Sequence, residues 1–125
     1  MTAVQARDVA SGFLEALSRR DYDGLASMFK EDGRMRGLVP PGLREAEGRE
    51  AIAERFRIWN DGVEDWELLE ADSENMADVV RIRWRVASTD PELGRTVYEQ
   101  TAYAEIDDDR IVWMNLVCSG ERPID

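Results

Sequence analysis

Proton transfer, nucleophilic attack or metal binding in this chain must be carried by carboxylates, tyrosines, arginines or one thiol, because the sequence contains no histidine. That absence removes Ser-His and Cys-His nucleophile pairs, histidine metal sites and the neutral-pH imidazole shuttle. The single cysteine, Cys118, cannot form an internal disulfide and lies beside apolar Leu116 and Val117, so it is read as an inert or pocket-lining thiol. The run Asp107-Asp108-Asp109 lacks the spaced oxygen ligands and glycine of a calcium loop and is read as a solvated turn. No metal and no cofactor is expected. Arg81, Arg83 and Arg85 alternate along the chain, and Glu99, Thr101, Tyr103 and Glu105 share one parity farther on. If the two sets face each other they form cross-strand ion pairs, each worth about 0.2–1 kcal/mol.

These groups need elements to position them. The chain has 125 residues, 43% of them hydrophobic and 34% charged, which suits one folded domain spanning residues 1–125. The formal charge of −11 disfavours contact with nucleic acid or anionic membrane. Residues 1–20 hold no continuous apolar stretch and no segment is long enough to cross a bilayer, so a cytoplasmic location is expected. Ala6, Val9, Ala10, Phe13, Ala16 and Leu17 fall at helical spacing, predicting a helix from Thr2 to Ser18. Asp21 is placed to cap a second helix, Tyr22 to Phe29, with Gly33 as its stop. Met35 to Val39 reads as a short strand ended by Pro40, Pro41 and Gly42, then a polar loop. Gly48 opens a third helix to about Asp61, with Ile52, Phe56 and Trp59 on its buried stripe and Gly62 as its cap. The period then becomes twofold: strands are predicted over Glu64–Asp72, Asp78–Ser88, Arg95–Ile106 and Arg110–Ser119. Helices first and strands later point to an α+β fold.

This order, with several local signatures, resembles the nuclear transport factor 2-like superfamily, in particular its SnoaL-like and ketosteroid-isomerase-like members. The likeness rests on Phe13-Leu-Glu-Ala-Leu-Ser-Arg-Arg-Asp-Tyr-Asp-Gly-Leu across the first helix break, and on Met28-Phe-Lys-Glu-Asp32 at the second helix exit. It rests also on Gly48-Arg-Glu-Ala-Ile52 with Phe56, and on Asp109-Arg-Ile111 with Met114 at the last hairpin. The resemblance implies a curved antiparallel sheet wrapped as a cone around three N-terminal helices, with a pocket at the open end and a homodimer through the outer sheet face. It does not by itself give a function, since such folds host enzymes and binders alike.

Carried over residue by residue, the isomerase tyrosine falls at Phe13, the general base at or near Gly37 and the second aspartate near Ala102. All three functional groups are missing. The epoxide-hydrolase pattern of two aspartates about an arginine also lacks its carboxylates, and the acidic last-strand position of the cyclases falls among Asn115, Leu116 and Val117. By parity, the inner face carries Val80, Ile82 and Trp84, then Tyr98, Gln100, Ala102 and Ala104, then Val112, Met114, Leu116 and Cys118. Phe13, Tyr22, Met35, Trp59 and Trp66 reach it from elsewhere. An apolar, aromatic-lined pocket follows, anchored by Gln100, Tyr98 and Tyr22 and suited to a hydrophobic small molecule. Trp113 and Val117, at the parity of Ile111, make an outer apolar patch for dimerisation. Two functions stay open. One is a SnoaL-like cyclase, isomerase or dehydratase whose base comes from elsewhere, such as Asp65 or Glu67. The other is a non-catalytic ligand-binding or accessory protein.

Overall fold

The computed structural model describes residues 3–124, with side chains described from residue 5. The chain runs α1 (Ala3–Ser18), α2 (Tyr22–Ser27), β1 (Phe29–Val39), β2 (Gly42–Glu47), α3 (Arg49–Asn60), β3 (Glu64–Met76), β4 (Val79–Asp90), β5 (Gly94–Asp107), β6 (Arg110–Cys118) and β7 (Arg122–Pro123). Thr2, the expected start of the first helix, lies outside the described residues. The α+β cone is present. The sheet is ordered β2-β1-β6-β5-β4-β3, with β7 paired to β5 beyond the end of β6. One seam departs from the antiparallel rule: β1 and β6 run parallel, with Met35 opposite Met114 and Gly37 opposite Leu116.

Local chemistry explains most boundaries. Asp21 caps α2 by accepting a hydrogen bond from the Gly24 amide at 3.0 Å. The helix is shorter than expected: it stops at Ser27, and the buried Phe29 opens β1 instead. Gly33 therefore does not end a helix. It sits in an irregular part of β1, where its carbonyl accepts from the Gly48 amide at 2.7 Å. That bond ties β1 to the start of α3. The segment after Pro41 is not a loop but β2, paired with β1 from Val39–Gly42 to Arg34–Glu47. Its sequence, Gly-Leu-Arg-Glu-Ala-Glu, alternates half-buried and exposed positions and fully buries none, so its hydrophobic alternation is faint.

The hairpin between β5 and β6 turns at Asp108 and Asp109, with φ of 56° and 61°. Two adjacent left-handed residues suit a tight hairpin and keep the acidic run in solvent. A register irregularity between Glu105 and Ile106 then shifts parity at the start of β6. Ile111 is consequently fully buried, opposite Ile106, rather than on the outer face. Val112 is correspondingly only half-buried, and inner parity resumes at Met114.

The core lies between the inner sheet face and the helices. Phe13 is its centre, edge-on to Phe29 and Phe56 with ring centroids at 6.2 and 5.6 Å, and tilted against Trp84 at 5.3 Å. Such contacts add about 0.5–1.5 kcal/mol per pair beyond area burial. The outer face carries the alternating arginines. Arg83 bonds Asp72 and lies 3.1 Å from Glu99; Arg85 reaches Glu70 at 2.8 Å and Glu99 at 3.0 Å; Arg81 reaches Glu74 at 2.8 Å. The ladder thus spans three strands, recruiting β3 carboxylates as well as the expected Glu99. Farther along the same face, Leu43, Leu38 and Val117 are cross-strand neighbours on β2, β1 and β6, each about half exposed.

Candidate functional site

The open end of the cone is framed by the β1–β2 turn, the middle and last turns of α3, the middle of β5 and the tail after β6. It encloses a concavity of about 480 Å3 lined by Val39, Pro40, Pro41, Arg44, Arg55, Trp59, Tyr98, Gln100, Cys118, Gly120 and Glu121. That volume falls in the range of about 300–1,000 Å3 typical of small-molecule sites. The rim is tight where the tail meets the turn: a Cβ placed on Gly120 would stand 3.1 Å from Pro40 Cγ, and Gly120 has φ of +81°. Both facts require glycine there.

The expected pocket residues divide by depth. Trp59, Tyr98, Gln100 and Cys118 line the mouth. Phe13, Met35, Ile82, Trp84, Ala102, Met114 and Leu116 lie beneath it in the closed core. Trp66 packs at the core's edge, and Tyr22 lines a separate concavity between α2 and α3. The Tyr22 hydroxyl is buried without a hydrogen-bond partner among the described residues, and burial, followed by the Asp61 charge, raises its pKa. The sequence did not single out Val39, Pro40, Pro41, Arg44 or Arg55 as pocket residues, and placed Gly120 and Glu121 there only as part of a tail folding back over the sheet edge or mouth. Their signal was the turn Pro40-Pro41-Gly42 and the tail, which end where the cone opens.

Polar groups at the floor are already committed. Trp84 Nε1 donates to Gln100 Oε1 at 3.0 Å. With its oxygen engaged, Gln100 has its NH2 end left as a donor. Asn60, buried at the end of α3, donates to the Phe56 carbonyl at 2.8 Å. Its side-chain oxygen accepts from Trp66 Nε1 at 3.1 Å and from the Tyr98 hydroxyl. Burial, reinforced by the neighbouring Cys118, pushes the Tyr98 phenol far above its ordinary value, so it stays neutral. Arg20 stacks over Trp66, 5.1 Å from the ring centroid, and closes this corner.

The positions that would carry isomerase chemistry are occupied by packing. A Cβ on Gly37 would meet Leu116 Cδ1 at 3.1 Å and the Trp59 ring at 3.2 Å. Ala102 faces Ile82 and Leu116 across its two strand partners. Among the described residues, the buried polar side chains are Asn60, Ser88, Thr96 and Gln100, and none is a carboxylate. Glu67 pairs with Arg95 at 3.2 Å, and Asp65 accepts from Thr89 at 3.1 Å; both are exposed and away from the mouth. The one carboxylate on the mouth wall is Glu121, which is exposed. No cluster of candidate metal ligands occurs among the described residues.

The family model described as a SnoaL-like domain matches residues 10–114, from the first helix to the last long strand. The chain belongs to the SnoaL-like domain family. Solved structures share this SnoaL-like fold at low identity. A candidate polyketide cyclase from Xanthomonas campestris is 21% identical, with a TM-score of 0.70 over 90% of this chain and 89% of its own. An LEH-like epoxide hydrolase of M. tuberculosis is 20% identical, with a TM-score of 0.70 over 93% of this chain and 84% of its own. A protein with a ketosteroid isomerase-like fold from Catenulispora acidiphila, in complex with trimethylamine, is 14% identical, with a TM-score of 0.71 over 86% and 82%. These likenesses establish the fold. No curated protein matches the sequence. Among the described residues no helix is long and apolar enough to cross a membrane.

Proposed function

We propose that this SnoaL-like protein binds a hydrophobic small molecule at the open end of its cone and does not perform acid–base catalysis on it. The observation that supports this reading is the composition of the mouth. Trp59, Val39, the two prolines and Cys118 supply apolar wall, while the Gln100 oxygen and the Tyr98 hydroxyl at the floor are already bonded within the protein. A general base needs a carboxylate or comparable group within hydrogen-bond reach of the substrate, and its pKa must suit the task. The buried floor offers none.

Titration with the neutral apolar probe 2-naphthamide tests it, with the alkylation of Cys118 by N-ethylmaleimide as the readout of place. Saturable binding that slows alkylation is the expected result. A probe that fails to saturate, or that leaves the alkylation rate unchanged, removes the reading. Glu121 favours a second reading, an enzyme of the cyclase, isomerase or hydrolase kind, because it brings a carboxylate to the wall. Hydrolysis of styrene oxide that disappears in Glu121→Gln is the result that would replace binding with catalysis.

We further propose a homodimer through the outer sheet face. The exposed row Leu43, Leu38 and Val117 crosses three strands and can meet its own copy about a twofold axis.

A further inference from the structure

We infer that the ligand of the mouth is an apolar carboxylate, gripped at the rim by Arg44 and Arg55; this rests on the binding function proposed above. The chain is strongly acidic, with 27 carboxylates against 16 basic residues, so an arginine lacks no supply of partners. Several arginines elsewhere use that supply, though Arg20, Arg34, Arg49, Arg110 and Arg122 have no ion pair among the described residues. Arg36, Arg57, Arg81, Arg83, Arg85 and Arg95 each sit within ion-pair distance of a carboxylate. Arg44 and Arg55 are half-buried, line the same concavity and have no carboxylate within ion-pair distance among the described residues. Arg44 spends one N–H on its neighbour, the Leu43 carbonyl, at 3.1 Å. A guanidinium that has lost part of its water and gained no anion is poised to take one, and its planar fork matches a carboxylate. Glu121 is on the same wall and offsets one of the two charges, leaving a local excess of one positive charge. The apolar wall below fixes where the rest of the ligand lies.

With a net charge of −11, the molecule as a whole repels anions, so an anion preference must come from the rim. The test compares 2-naphthoate with its neutral isostere 2-naphthamide by calorimetric titration at low and high salt. Naphthoate is expected to bind about tenfold tighter, as one charge-assisted bidentate contact would give. That ratio should fall toward one in Arg44→Gln and in Arg55→Gln, rise in Glu121→Gln, and persist in Arg110→Gln, a charge-matched control at the opposite end of β6. Equal or tighter binding of the amide to the wild-type protein overturns the carboxylate assignment and leaves the apolar site standing. If an arginine variant keeps the full ratio, that arginine is not a grip, and if both keep it the inference fails. If neither probe binds, the site reading falls together with it.

Discussion

Gln100 shows how a single residue can be spent on structure at the mouth of the cone. Its oxygen accepts the indole hydrogen of Trp84, a residue 1% exposed in the middle of β4. Gln100→Leu keeps volume but strands that indole N–H in an apolar core. The expected cost is about 1–3 kcal/mol of unfolding free energy, read from urea denaturation. Gln100→Glu should restore the acceptor while placing a charge beside the mouth, and so separate loss of the bond from loss of shape. Asn60 works similarly at the end of α3, where one amide joins a helix carbonyl, an indole and a phenol. These bonds explain why the aromatic residues were easy to place near the pocket and hard to place at the right depth. Parity says which side chains point inward; it does not say which of them already satisfy one another.

At the level of elements, the Arg81–Arg83–Arg85 ladder fastens β4 to both neighbours. Hydrogen bonding to Arg83 holds the Asp72 carboxyl below its ordinary value. A lowered folded pKa means that this stabilisation is complete above about pH 4 and is lost as the pH falls through the lower folded value. Asp72→Asn should therefore lower the thermal midpoint at pH 7 and matter progressively less as the pH falls through that lowered value. Because the Asp72 side chain is 44% exposed, the effect at pH 7 is expected to be on the order of 0.5–1 kcal/mol. α1, α3, β4, β5 and the bounds of β6 were legible in the sequence from their 3.6 or twofold period. α2 was read two residues too long, and β3 was read as ending at Asp72 although it runs on to Met76. β2 was not legible, since a half-exposed edge strand of alternating charge looks like loop. Nor was the inward turn of Ile111, since a bulge moves parity by one without changing composition. Phe13, Gly37 and Ala102, where the resemblance puts the isomerase groups, were read as lacking them. The structure adds that Trp59 and Leu116 crowd the space a Gly37 side chain would take.

For the molecule as a whole, the outer face combines a charged half on β3, β4 and β5 with an apolar row on β2, β1 and β6. Leu38→Glu places a charge in the middle of that row without touching the core. If the row is the interface, sedimentation at micromolar concentration should shift from dimer to monomer, while circular dichroism stays unchanged. A wild-type protein that already sediments as a monomer would remove the dimer. The parallel seam between β1 and β6 has a further consequence, for the order in which the fold can be completed. Met35 and Met114 are paired across a closure of about 80 residues, and loops of that size delay the contacts they bring together. The hairpins from β3 through β6 can form among near neighbours, as can the β1–β2 pair. The two halves can be sewn together only when the last long strand has arrived. On a ribosome, the aromatic core around Phe13 must therefore wait open-sided until the final residues of β6 have cleared the exit tunnel.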